Sequence, residues 1–263
     1  MSNAPCLADI LTALGVLVNK PTTIDPAEQA RFERLAKLWW DKSGPFWPLH
    51  GMNELRAGYI RDQISHWREN QADADRQLNG LRILDIGCGG GILSEAIARM
   101  GAEVHGVDMV EKNIKIARSH AAEQGLKLEY ECCTAEALAK RGEVYDAILN
   151  MEVVEHVADL PLFMRSCARL LKPGGIMMVA TINRTLASFL SAIVGAEYVL
   201  RWLPRGTHQW RKFPTPAELE DLLRADGLIV VDRTGVRLNP LNRNFWLVPY
   251  LGINYMLVAV KPA

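Results

Sequence analysis

An apolar run closing on tightly spaced glycines, Leu84-Asp85-Ile86-Gly87-Cys88-Gly89-Gly90-Gly91, then gives way to a helical pattern from Ile92 and leaves little choice of local fold. A strand must stop, the chain must turn within a few residues, and a helix must begin with its backbone open to close approach. Such a turn suits a nucleotide-like ligand. The spacing narrows which one: a dinucleotide fingerprint G-x-G-x-x-G would need a third glycine at position 92, where Ile92 stands, whereas the turn reads G-x-G-x-G through Gly87, Gly89 and Gly91. Asp85 would serve a pyrophosphate poorly but would attract a positively charged amino-acid moiety. Asp108, about twenty residues past the turn at the end of the next apolar run, is placed for a ribose diol. A glycine turn that merely links strand to helix would leave both acids unexplained.

These positions resemble motif I and the second-strand acid of the S-adenosylmethionine-dependent methyltransferases with a Rossmann-like fold. The resemblance implies S-adenosylmethionine as co-substrate.

Composition excludes several other classes. Lys plus Arg and Asp plus Glu both number 30, so the formal charge is zero, nucleic acid is not expected as a partner, and a small or uncharged substrate is favoured. The cysteines number five, include the adjacent Cys132-Cys133, and show no C-x-x-C spacing. Neither a disulfide framework nor a zinc site is suggested, and a reducing cytoplasm fits. The apolar run Cys6 to Val18 is interrupted by Asp9, lacks a preceding basic residue, and is shorter than the ~20 residues of a membrane span. The first arginine is Arg31, which does not fit a mitochondrial transit peptide.

From Leu81 onward short apolar runs alternate with helical patterns, which predicts an α/β fold with a mostly parallel sheet and helices on both faces. Seven strands are expected, at 82–86, 104–107, 128–132, 145–150, 176–181, 228–231 and 255–260. The expected organisation is a single domain over 1–263: an extension at 1–24, an N-terminal helical lid at 25–77, and a Rossmann-like core at 78–263. Within the core the alternation fails at 183–213, a helical insertion after the fifth strand. Two helices, Asp25–Trp40 and Leu55–Glu69, flank a Gly/Pro-rich loop at 42–50. In an open α/β sheet the ligand lies beyond the strands' carboxyl ends, so these elements are free to cover that edge.

Asn150-Met151-Glu152-Val153-Val154-Glu155-His156 follows the fourth strand at that same edge. If a helical turn starts there, Glu152, Glu155 and His156 share one face. Two carboxylates and an imidazole can hold a divalent cation, with Mg²⁺ or Mn²⁺ favoured over zinc. A phenol has a pKa of ~10, and coordination lowers it so that the oxygen can attack a methyl group near neutral pH. Two rival readings remain open: His156 as a general base without metal, or Glu152 and Glu155 as a helix cap paired with basic neighbours. Met151, apolar and leaving the strand beside the glycine turn, reads as an adenine-side contact, against ordinary core packing. Arg56 reads as a bidentate partner for the cofactor carboxylate if its segment closes over the site, and otherwise as a solvated charge. In the insertion Leu186, Phe189, Leu190, Ile193, Val194 and Leu200 recur at helical spacing before Trp202-Leu203-Pro204-Arg205. That segment suits a bilayer surface or the entrance for a greasy substrate, and equally a helix packed on its own domain.

Taken together, Arg31-Phe32-Glu33 through Trp39-Trp40-Asp41, Pro48-Leu49-His50, Leu55-Arg56-x-Gly58-Tyr59-Ile60, the glycine turn, Met151-Glu152-x-x-Glu155-His156-Val157, Asn183-Arg184, Gly195-Ala196-Glu197-Tyr198 and Gly206-Thr207-His208 resemble the ubiquinone-biosynthesis O-methyltransferases over roughly 25–260. The resemblance implies methylation of polyprenyl catechol intermediates and of 3-demethylubiquinol. It implies cofactor binding at Gly87 and Asp108, with Gly89 and Asp85 beside them and Arg56 and Met151 as outer contacts. It also implies metal binding at Glu152, Glu155 and His156, with catalysis by His156 and Glu152. The tail would run along the insertion, with peripheral membrane contact through 185–203 at the inner membrane, and a quinone-biosynthesis complex would be a partner. Two departures stand out, Gln209 where an acid is expected and the first two dozen residues, and neither is expected to touch the methyl-transfer site. The rivals are a quinone-pathway C-methyltransferase, against which the pre-core Trp-Trp-Asp and Pro-Leu-His segments argue, and a non-catalytic S-adenosylmethionine-binding module.

Overall fold

Strand β1 (Arg82–Ile86), apolar apart from Asp85 past its first residue, is buried between two parallel neighbours, β2 (Glu103–Asp108) and β4 (Tyr145–Met151). Near-continuous apolar runs of this kind are what a sheet covered on both faces demands. The structure, a computed structural model, describes residues 22–69, 78–191, 193, 197 and 209–263. The parallel part is extended by β3 (Glu129–Cys132) and β5 (Leu171–Ile182). Beyond β5, β8 (Asn254–Val260), β6 (Ile229–Leu238) and β7 (Phe245–Val248) pair antiparallel. The order is β3-β2-β1-β4-β5-β8-β6-β7, eight strands where seven are expected from the sequence.

The extra strand has a physical cause. β6 alternates exposed and half-buried residues, and Asp232 and Arg233 break its apolar signal, so only its first residues read as strand. It then runs on to Leu238 and returns as β7, a four-residue edge strand too short to stand out.

Helix α1 (Pro26–Leu35) starts where Asp25 accepts the backbone N–H of Ala27 at 2.9 Å, with Pro26 at the first turn. It stops five residues before Trp40 and tightens into a 3-10 turn over Ala36–Leu38. Helix α2 (Trp47–Glu69) begins two turns earlier than its pattern suggests, because Pro48 is tolerated in a first turn while Gly51 hides the helix in the sequence. Its C-terminal half is no mere cover for the ligand edge. Ile60 and Ile64 are fully buried and pack with Ile97 of α3 (Ile92–Arg99) in the cluster that includes Ile83, Met178 and Val258 of the sheet.

Helix α4 (Glu111–Glu123) covers β2 and β3 through Ile114, Ala117 and Tyr130. The opposite face is covered by α5 (Ala135–Arg141), α6 (Leu160–Leu170) and α8 (Pro216–Ala225), through Leu138, Phe163 and Leu219. Between β5 and α8 comes the short α7 (Leu186–Ser188). As the Thr-Pro-x-Glu spacing implies, Thr215 and Glu218 form a reciprocal cap on α8. The extension at 1–21 lies outside the described residues, as does most of the insertion between 192 and 208.

Candidate active site

The glycine turn adopts left-handed φ angles at Gly87 (71°), Gly89 (54°) and Gly91 (87°), a region that side chains rarely occupy. It is also crowded from outside. A Cβ at Gly89 or Gly90 would overlap Trp39, and Trp40 donates its indole N–H to Gly90 O at 2.9 Å. The pre-core tryptophans are therefore the roof of the turn. Trp39 donates to Asn113 Oδ1 at 2.8 Å, and Asn113 Nδ2 donates to Asp108 Oδ1 at 3.2 Å.

Asp108 also accepts the backbone N–H groups of Gly89 at 3.1 Å and Val110 at 2.7 Å. Burial nevertheless pushes its carboxyl up to about 6, against the pull of those donors. Asp85, at the end of β1, accepts from Ser94 Oγ at 2.5 Å. Burial raises it to about 6 as well, with Ser94 and Arg56 acting in the opposite sense. Arg56 reaches in from α2, is 4% exposed, and has a buried Nε without a hydrogen-bond partner among the described residues. Burial lowers its pKa, while Glu152 and Asp85 act to hold the guanidinium charged.

At the end of β4 the expected helical turn does not form. Glu152 takes a left-handed φ of 59° while its N–H still pairs with Ala180 O of β5 at 2.9 Å, so the chain leaves the sheet in a kinked turn closed by His156 N–H to Val153 O. The imidazole consequently parts from the two carboxylates. Glu155 is turned inward, 4% exposed, with Oε2 lacking a hydrogen-bond partner among the described residues. Burial, then the like charge of Glu152, pushes its carboxyl well above the ordinary range. His156 faces α1 instead: its Nδ1 lies 3.2 Å from Glu28 Oε2, and its ring stands edge-on to Phe32 at 5.2 Å. Among the described residues no three His, Cys, Asp or Glu side chains are grouped to hold a metal ion. The orphaned Glu155 oxygen beside Glu152 suits a cation, but the third ligand is turned away.

Glu28 was not legible in the sequence as a site residue. In the first turn of α1 it has the pattern of a surface acid favoured by the helix dipole, yet it is 4% exposed. Arg31 donates to it at 3.2 Å, and Lys212, whose Nζ holds Asp25 at 2.6 Å, stands 3.9 Å away. Burial raises its pKa, but His156, Arg31 and Lys212 outweigh burial and leave the carboxyl below its usual value. Gln209 corrects a second expectation. Its amide approaches Glu28 Oε1 at 3.4 Å, so this departure does touch the surroundings of His156.

One cavity of ≈ 820 Å³ is lined by Arg56, Asp85, Gly87, Asp108, Met151, Glu152, Glu155 and His156. Gly89 is not part of that lining; it lies beneath Trp39 and serves Asp108. The β6–β7 hairpin lines another side with Leu238, Pro240, Phe245 and Trp246, none of which a sequence signal singled out. In the described part of the insertion Leu186 and Leu190 are exposed, while Phe189 meets Trp210 edge-on. Among the described residues no helix is long and apolar enough to cross a membrane.

The fold and the glycine-turn cavity are those of a methyltransferase, and a family model described as a methyltransferase domain matches residues 53–232, so the chain belongs to that family. The solved structure of magnesium protoporphyrin IX methyltransferase from Synechocystis PCC 6803 shares the fold, at 20% identity over 77% of this chain and 82% of that one, with a TM-score of 0.53. Similarity to curated proteins goes further. The ubiquinone biosynthesis O-methyltransferase of Sinorhizobium fredii is 55% identical over 92% of this chain and 97% of its own length. That of Chelativorans sp. is 55% identical over 92% and 95%. The chain is a member of the ubiquinone biosynthesis O-methyltransferases, enzymes that depend on S-adenosylmethionine.

Proposed function

We propose that this cavity moves the methyl group of S-adenosylmethionine to a phenolic oxygen of a polyprenyl catechol or of 3-demethylubiquinol, with His156 as general base. The observation that carries the proposal is that one cavity holds the glycine turn with Asp85 and Asp108 on one wall and His156, backed by buried Glu28, on another.

The ribose diol would donate to Asp108, and the positively charged amino-acid end would lie toward Asp85. The spare Nε–H of Arg56 is a donor for the cofactor carboxylate. Met151, buried at the strand end, offers an apolar contact to adenine. Glu28 Oε2, 3.2 Å from His156 Nδ1, favours the tautomer with its proton on Nδ1, which keeps Nε2 to accept the phenol proton. The oxygen then attacks the methyl carbon, the carbon–sulfur bond breaks with its electrons passing to sulfur, and S-adenosylhomocysteine, a methyl ether and one proton result. Holding donor and acceptor in line in the cavity supplies much of the rate.

Glu152 and Glu155 would hold a divalent cation, with His156 as third ligand only if it leaves Glu28. When bound, such an ion lowers the pKa of a coordinated phenol. The reading extends to the whole chain as one unit, and to bilayer contact through 185–203, supported by the exposed Leu186 and Leu190.

The test is incubation of the protein with methyl-labelled S-adenosylmethionine and short-chain demethylubiquinol, with and without EDTA, reading the product by mass spectrometry. Label on a phenolic oxygen supports the proposal. Label on ring carbon favours the C-methyltransferase, and no label with tight cofactor binding favours the non-catalytic module. Transfer unchanged by EDTA removes the cation.

A further inference from the structure

Beyond the cofactor and the acceptor ring, the cavity has a third part. It is bounded by Leu238, Asn239, Pro240, Phe245 and Trp246 of the hairpin, and faced by Trp47, Leu49 and Met52 from the start of α2. The hairpin segments there carry neither carboxylate nor imidazole, and their one charged lining residue, Arg237, has its guanidinium 5.7 Å from the Tyr250 ring.

We propose that the acceptor's isoprenoid tail leaves the reaction site through this cleft, between the start of α2 and the β6–β7 hairpin. The inference rests on the acceptor reading above and adds to it the path of the tail. A polar ring needs the groups around His156, whereas a long hydrocarbon needs an apolar wall continuous with them and an opening to the outside. The hairpin offers both. Trp246 lines the cavity and is still 41% exposed, and Leu241, at the hairpin tip, is 93% exposed.

The wall is held in place. Gly51 of α2 admits the Phe245 ring so closely that a Cβ would come within 2.8 Å of it. Arg243 lies over the Trp47 ring at 4.7 Å, and Asp232 of β6 accepts from Tyr59 at 2.9 Å and Gln63 at 2.8 Å, both on α2. The loop after β7 is tied in turn to the start of the insertion, through Asn183 Nδ2 to Leu251 O at 2.9 Å and Thr185 Oγ1 to Gly252 O at 2.5 Å. A tail emerging here reaches the root of the segment whose Leu186 and Leu190 are exposed. Among the described residues of 183–213, Ser191 lines the cavity, so the insertion expected to carry the tail meets this path at its root.

The test compares KM for a demethylubiquinol carrying a short isoprenoid tail with KM for its tailless analogue, in the parent protein and in Trp246→Asp and Leu238→Asp variants. Melting temperature and S-adenosylmethionine affinity are measured alongside, and Trp246→Phe serves as the conservative rescue. The expected result is a rise in KM about tenfold or more larger for the tailed acceptor than for the tailless one, reversed by phenylalanine. Equal effects on both acceptors, or none, overturn the tail path. So does a Leu190→Asp/Ile193→Asp variant that discriminates where the hairpin variants do not. Should Leu238→Asp fail to fold, exposed Trp246 still decides. A parent protein that methylates neither acceptor overturns the underlying function instead, a distinct outcome.

Discussion

The two walls of the cavity are built differently. The centre of the donor wall comes from one stretch, Leu84 to Asp108, in which a strand, a turn and a helix N-terminus lie next to one another in sequence, with Arg56 and Met151 at its margins. The acceptor wall is gathered from Phe32 on α1, the kinked turn after β4, whose His156 is backed by Glu28, and the hairpin at 236–246, which meet only when the sheet is complete. Local geometry makes the first, long-range packing the second. Changes to one wall should therefore leave the other's task nearly intact.

The largest expected break is His156→Ala. Loss of a positioned general base lowers kcat by about 10²- to 10⁴-fold, read as methyl transfer at saturating substrates. A fall of less than tenfold would remove His156 from the chemistry. Next comes the donor wall: Asp108→Ala removes a carboxylate whose hydrogen bonds are worth about 1.5–3 kcal/mol each. Cofactor Kd should rise roughly 10- to 150-fold by calorimetry, with the rate at saturating cofactor far less affected. Glu28→Gln is smaller, because glutamine keeps the volume but loses the charged partner of His156. A fall in kcat of about tenfold is expected, the scale of one close charged partner lost beside the imidazole.

The pH dependence sharpens the donor side. Asp85 and Asp108 both sit at about 6, above the ordinary 3.8, so the empty fold favours their protonated forms. Their contribution to stability is full below about pH 4 and is lost as pH rises through about 6. The cofactor's positive charge favours the ionised Asp85, so affinity should increase with pH through about 6, by at most about tenfold per unit per proton, and then level. Asp85→Asn should flatten that rise, as binding isotherms across pH 5 to 8 would report.

The same contrast explains what could be read from the chain. Strand β1, the glycine turn, Asp108 and the capped α8 were legible because each depends on neighbours in sequence. The metal-face expectation for Glu152, Glu155 and His156 assumed a helix, and one left-handed residue at Glu152 was enough to turn the imidazole away from the two carboxylates. Glu28 hid as a surface acid, since only a distant histidine, Arg31 and Lys212 give it a reason to be buried. Strand β7 hid because an edge strand buries one side of a short segment, and the early start of α2 because Gly51 answers to Phe245 rather than to its own helix.

The most direct test of the separation is calorimetric titration of S-adenosylmethionine into His156→Ala and Glu28→Gln, beside single-turnover methyl transfer by the same preparations. Binding within twofold of the parent, with transfer slowed about 100-fold and about tenfold respectively, is the predicted result. Cofactor affinity falling in step with the transfer rate would contradict it.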